Sequence, residues 1–139
     1  MAVFNKTINI RTNGENDIID ITPEVQNVVS SSGLNEGVCL VFCPGSTGTL
    51  STIEFEPGLK YDFPKALDKI APIDQEYKHH ETWHDDNGRS HVKATLMGPH
   101  LVIPFQNGMI IHGTWQQLMF MELDTRSRNR NLIVQLVGE

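Results

Sequence analysis

A chain of 139 residues is long enough for one domain with its own core, and a compact fold of this size buries roughly two-thirds of the surface that its unfolded chain exposes. With 39% hydrophobic and 20% charged residues, and with 11 glycines and 7 prolines spread along the chain, composition points to a single ordered unit over 1–139 and away from disorder. The formal charge of -6 repels a phosphate backbone, so no nucleic-acid partner is expected.

"MAVFNKTINIRT" has neither the basic nor the apolar region of a signal peptide, and the longest apolar run, "GVCLVFC", is too short to cross a bilayer. A cytoplasmic protein with no membrane partner is therefore expected. "VFNKTINIRT" alternates as a strand, the turn-rich "NGEND" follows, and "DIIDIT" reads as a second short strand. Thr22 as N-cap, Pro23 in the first turn, apolar Val25, Val28 and Val29 on one face and Gly33 as a stop predict a helix. "GVCLVFC" is continuously apolar, as in a strand covered on both sides, and carries the only two cysteines. Cys39 and Cys43 lie too far apart along such a strand to bridge, so buried thiols are expected.

A second helix is predicted over "YDFPKALDKIAP", where Phe63, Ala66, Leu67 and Ile70 follow the helical spacing and Pro72 marks the end. The final third, "HVKATLMG", "HLVIPFQ", "GMIIHGTWQQLMFMEL" and "NLIVQLVGE", reads as strands, with Asn107-Gly108 as a hairpin turn. The predicted fold is α+β: a two-layer sandwich of a largely antiparallel sheet with about two main helices.

The stretch "HHETWHDDNGRSH", residues 79–91, holds four of the six histidines. His80, His84 and His91 have the spacing H-x3-H-x6-H, which brings two imidazoles onto one helical turn with a third arriving from the next element. This spacing matches no established metal motif, so a metal or catalytic site stands beside a set of solvated histidines. If the backbone is extended, His79 points away from His80 and is left out of the site. His100 and His112 read as structural. In "CPGSTGTLSTIEFEPG", Ser46 and Thr47 offer hydroxyls to an anion, and Glu54 and Glu56 lie on one side of an extended segment, as solvated carboxylates or as metal ligands. Arg126, Arg128 and Arg130 are either phosphate-gripping forks or a solvated hairpin tip.

Taken in order, "KALDKIAP", "YKH", His80, Asn87, "HVKATLMGP", the Asn-Gly turn, "GTWQ", "ELD" and the ending "VQLVGE" resemble the YjbQ-like family, whose members are often labelled secondary thiamine-phosphate synthases. The resemblance spans essentially the whole chain. It implies an α+β sandwich, a homotrimer with sites near subunit interfaces, and histidines that hold a metal or an anion. Residue by residue, it assigns the paired histidines to His80 and His91, a neighbouring amide to Asn87, an acidic residue to Glu54, the GTWQ block to Thr114, Trp115 and Gln116, and the acid that follows to Asp124. Relatives often carry His-Thr-Thr where this chain has Gly45-Ser46-Thr47, and His84 is the candidate replacement for that missing imidazole.

Two enzymatic readings and one binding reading follow. Thiamine-phosphate synthesis joins a pyrimidine pyrophosphate to a thiazole phosphate, with Mg²⁺, Ser46, Thr47 and Arg126 or Arg128 on the phosphates and Trp115 as a stacking surface. Metal-dependent hydrolysis would use zinc or a similar ion on His80, His84 and His91, with Glu54 as general base and Asn87, Gln116 and Asp124 nearby. The third reading is a trimeric module that binds a small anion or a metal without turning it over.

Overall fold

The computed structural model describes residues 1–139. Strands β1 (Ala2–Arg11), β8 (Asn129–Gly138), β3 (Glu36–Phe42), β5 (His100–Gln106) and β6 (Met109–Ile110) form one antiparallel sheet in that spatial order. A second sheet pairs β2 (Ile18–Asp20), β7 (Gln117–Glu122) and β4 (Gly48–Ile53), again antiparallel. Four helices join them: α1 (Thr22–Ser32), α2 (Pro57–Ile70), α3 (Lys78–Trp83) and α4 (Gly88–Met97). The α+β class is as the sequence predicts.

Alternation along β7 explains the layering. Leu118 and Phe120 point into a core shared with α1 and the inner face of the large sheet, where Val25, Val28, Val29, Cys39, Val41 and Leu132 are buried. Met119 and Met121 point the other way, onto Leu67 of α2 and Ala94 of α4. The small sheet is thus covered on both faces, and a strand so covered reads as unbroken hydrophobicity. Both cysteines are free and buried, and burial pushes the Cys39 thiol up to about 12.

Several local expectations hold. Gly33 ends α1 at φ 76°, and Asn107 and Gly108 have φ 54° and 70°, the two positive values that a type I′ turn demands. Others need correction. Thr22 lies inside α1 and the cap position is Ile21; the Thr22 hydroxyl instead accepts the backbone N–H of Leu118, stitching α1 to β7. The second helix starts earlier than predicted, at Pro57, with the Glu56 carboxylate accepting the N–H groups of Gly58 and Leu59; Phe63, Pro64 and Leu67 face inward, whereas Ala66 and Ile70 are exposed.

Two corrections bear on function. "HVKATLMG" belongs to helix α4, and it buries Ser90, Lys93 and Ala94 while Val92 and Leu96 face outward. β3 is covered on one side only: Cys39 and Val41 are in the core, but Val38 and Phe42 are open. No helix is long and apolar enough to cross a membrane.

Candidate functional site

The histidine stretch folds as α3, a tight loop over residues 84–87, and the first turn of α4. His84 closes α3 at φ 57°, and its N–H donates to the His80 carbonyl. Asp86 is also left-handed, at φ 53°, a conformation uncommon for any residue with a Cβ. Both of its peptide groups are held: its N–H donates to His80 Nδ1 at 3.1 Å, and its carbonyl accepts from Arg89 Nη1 at 2.9 Å. Gly88 then lets α3 and α4 approach, since a Cβ there would stand 2.5 Å from that of Tyr77.

This path pairs His91 with His79, in contrast to the sequence expectation. Their ring centroids are 4.4 Å apart at an interplanar angle of 53°. His80 turns away, against His84 at 5.6 Å, and lines a separate depression with Tyr77, Glu76 and Glu81. The expected set of His80, His84 and His91 therefore does not converge. Extended backbone would oppose His79 to His80, but in a helix consecutive residues are only about 100° apart, so that ground for leaving out His79 is void.

The two rings face a shallow depression of about 400 Å³. Asp85 approaches His79 Nε2 at 3.6 Å, and Trp83 and Ser46 lie on the rim. Asn87, buried beneath, has two possible amide orientations. One gives a single 3.4 Å bond to Asp124, whereas the other donates to Asp85 at 2.8 Å and to His79 Nε2 at 3.2 Å. The second is assigned, because the first sets the amide oxygen against the carboxylate at 2.8 Å.

The floor is a buried polar chain. Glu122 accepts from Arg130 Nε at 2.9 Å and from Thr12 Oγ1 at 2.9 Å, and Arg130 Nη2 donates to Thr47 Oγ1 at 2.9 Å. Thr47 Oγ1 donates in turn to Asp124 at 3.3 Å, and Asp124 receives Arg128 Nε at 2.9 Å. Burial alone would raise the Asp124 carboxyl, but the Arg128 guanidinium and the Thr125 N–H outweigh it and hold it below the usual carboxylate range. Asp124 is thus a fixed anion that aims Arg128 at the depression. Arg128 itself remains about one-third exposed, at 36%.

The remaining predicted residues lie elsewhere. Arg126 is exposed in the β7–β8 turn, outside the depression that Arg128 lines. Glu54, Thr114 and Trp115 border a different hollow beside Phe55. Gln116 closes its own loop, its side chain accepting from the Gly113 N–H at 3.0 Å and donating to Thr52 Oγ1 at 3.2 Å. Within one chain, Ser46, Thr47, Asn87, His91 and Asp124 of the predicted set meet in one depression, which His79, Trp83 and Asp85 also line.

Fold and depression together define a small α+β protein with an imidazole pair set beside a carboxylate and a guanidinium. Residues 6–139 match the family described as UPF0047 protein, YjbQ-like. A UPF0047 protein of Methanothermobacter thermautotrophicus is 36% identical over 139 residues, covering 100% of this chain and 95% of the relative. One from Archaeoglobus fulgidus is 37% identical over 128 residues, covering 92% and 97%. Among solved structures, a YbjQ-like protein of unknown function from Sulfolobus solfataricus superposes with a TM-score of 0.91 at 31% identity and 99% coverage of both chains. The chain belongs to the YjbQ-like UPF0047 family.

Proposed function

We propose that this chain is an enzyme acting on a small phosphorylated metabolite, with His79 and His91 as its acid–base pair and Arg128 and Ser46 receiving the phosphate. The observation that carries this reading is the placement of two imidazoles 4.4 Å apart in the depression that Arg128 and Ser46 also line. Imidazole changes charge near neutral pH, as a group that both takes and returns a proton must. The Asn87 amide, itself held by Asp85, donates to His79 Nε2 and fixes the orientation of that ring, and the guanidinium fork suits a phosphate. Trp83, 69% exposed on the rim, offers a flat surface for a ring.

The transfer to test first is the union of a pyrimidine pyrophosphate with a thiazole phosphate, in which Mg²⁺ on the substrate would neutralise the departing pyrophosphate. Phosphate-ester hydrolysis at the same residues comes next. The assay incubates the protein with both thiamine-phosphate precursors and Mg²⁺, and separately with a panel of phosphate esters. Product that depends on His79 and His91 is expected. Phosphate binding without turnover on any substrate would sink the enzyme reading and leave an anion-binding module.

A resident divalent ion is the second reading, favoured by the approach of Asp85 to His79 Nε2 at 3.6 Å, beside His91. As they stand, no three His, Cys, Asp or Glu side chains are arranged to hold an ion. Binding would require the Asn87 amide to release His79 Nε2 and His91 or Asp85 to turn, and zinc so held would supply a Lewis acid. Metal content of the tag-free protein tests this, with His91→Ala as the control.

Self-association is supported by the outer face of the large sheet, and a homotrimer is the assembly to test. Register places Val38 beside Val137 and Pro104, Leu40 beside Val102, and Phe42 beside Ile133; of these, Leu40 and Val137 are half-buried and the rest are exposed. A contiguous apolar face of this kind marks an association surface. Sedimentation is expected to give three times the 15.6 kDa chain mass, and Val102→Asp, which alters a residue 59% exposed in the single chain, is expected to give monomer. A wild-type monomer would remove the proposal.

A further inference from the structure

We propose that Arg89–Glu15 and Lys93–Asp68 are positioning pairs: two buried cations on one flank of α4, tied to different neighbouring elements, which hold His91 against His79 and keep the 84–87 loop in the form that presents Asp85 and Asn87. The inference rests on the reading of those side chains as the functional site.

Helix α4 buries two full positive charges, Arg89 at 4% and Lys93 at 1% exposure. Neither cation is paired within its own helix. Arg89 forks onto Glu15, in the β1–β2 connection, at 2.8 and 2.9 Å, and Lys93 Nζ reaches Asp68 of α2 at 2.5 Å. A buried ion pair is weak evidence for stability, because hydrocarbon of similar volume often does as well. What hydrocarbon lacks is direction: a guanidinium fork and an ammonium each fix a distance and an angle.

Helical geometry converts that direction into placement of the site. At about 100° per residue, Arg89 and Lys93 lie about 40° apart, while His91 lies about 160–200° from both. Anchoring one flank to the β1–β2 connection and to α2 therefore sets the rotation of α4 about its axis, and with it the direction of the His91 ring. Arg89 does a second thing. Its Nη1 donates to the Asp86 carbonyl while His80 Nδ1 accepts the Asp86 N–H, so the left-handed residue between Asp85 and Asn87 is held at both peptide groups. None of Glu15, Asp68, Arg89 and Lys93 lines the depression, so any effect on it is exerted through other residues.

The test uses the full chain and three kinds of variant. Asp68→Ala and Glu15→Ala remove the anchors, Asp68→Asn and Glu15→Gln keep an acceptor in place, and Lys93→Met keeps the buried stem without its charge. Thermal unfolding shows which variants are folded. Cross-relaxation between the ring protons of His79 and His91 reports their contact without any ligand, and a titration with inorganic phosphate reports the site. In folded Ala and Met variants the ring contact should weaken and the phosphate Kd should rise about tenfold, the scale of coupling within one network. The Asp68→Asn and Glu15→Gln variants should stay near wild type in both readouts.

Wild-type ring contact in Lys93→Met or in the Ala variants would overturn the proposal, as would equal damage from the Asn or Gln variants. If the wild-type chain binds no phosphate, the proposed function fails, and the ring contact alone still decides the positioning role. Should an Ala variant not fold, Lys93→Met carries the decision, since it leaves no buried charge unpaired: Arg89 keeps Glu15, and Asp68 is 49% exposed.

Discussion

His79→Ala is expected to lower turnover by about 10²–10⁴-fold, the contribution of a single positioned acid or base, and His80→Ala to leave it within about one order of magnitude. The neighbours differ in where their rings go. His79 contacts His91 and receives the Asn87 amide, whereas His80 accepts the Asp86 N–H and meets His84 edge to face. Loss of His80 removes one exposed hydrogen bond, worth roughly 0.5–1.5 kcal/mol, and loosens the loop. Because His79 and His91 act as a unit, the double variant His79→Ala/His91→Ala should be no worse than either single one. Unfolding midpoints near wild type would separate this loss from damage to the fold, since both rings are only half-buried. If His80→Ala proved as damaging as His79→Ala, the assignment of the pair would be wrong.

The sequence made much of the fold legible where local chemistry leaves one solution. Asn107-Gly108 needs positive φ at both positions, and Pro23, Val25, Val28, Val29 and Gly33 mark a helix with an apolar stripe and a stop. Helix α4 was not legible. Its buried face carries Arg89, Ser90 and Lys93, and the partners that neutralise the two cations lie 74 and 25 residues away. With polar residues inward and Val92 and Leu96 outward, the hydrophobic period that identifies a helix is lost, and "HVKATLMG" alternates like a strand.

The same limit applies to the site. His91, Asn87, Asp124, Ser46 and Thr47 were reached from the sequence and meet in one depression. Setting His79 apart from His80 requires an extended backbone, whereas these residues form α3. The three alternating arginines cannot be told apart by spacing. Only burial separates Arg126, exposed in the turn, from Arg128 on Asp124 and Arg130 on Glu122. Glu54, Thr114 and Trp115 share a border elsewhere on the surface, so their polarity pointed to a real cluster, though a different one.

Arg130→Met is expected to cost about 3–5 kcal/mol, because it strands the Glu122 carboxylate, itself 0% exposed, without its cation. For a chain of this length that corresponds to roughly 10–17 °C in Tm. Replacing both partners, as in Glu122→Leu/Arg130→Met, should cost far less than the sum of the single variants, since no lone charge remains buried. The same comparison separates structure from function. Thr47 Oγ1 is bonded to Arg130 and, at 3.3 Å, to Asp124, so an apolar floor removes one support from the carboxylate that aims Arg128. The double variant should therefore regain Tm and still bind phosphate more weakly than wild type. Acid sensitivity follows from Asp124. Its carboxyl is held low in the folded chain, so its contribution is fully present above the ordinary carboxylate range and is lost as pH falls through the depressed folded value. Asp124→Asn should accordingly flatten the acid limb of the unfolding curve while lowering stability at neutral pH. An unchanged acid limb would show that Asp124 is not a principal source of it.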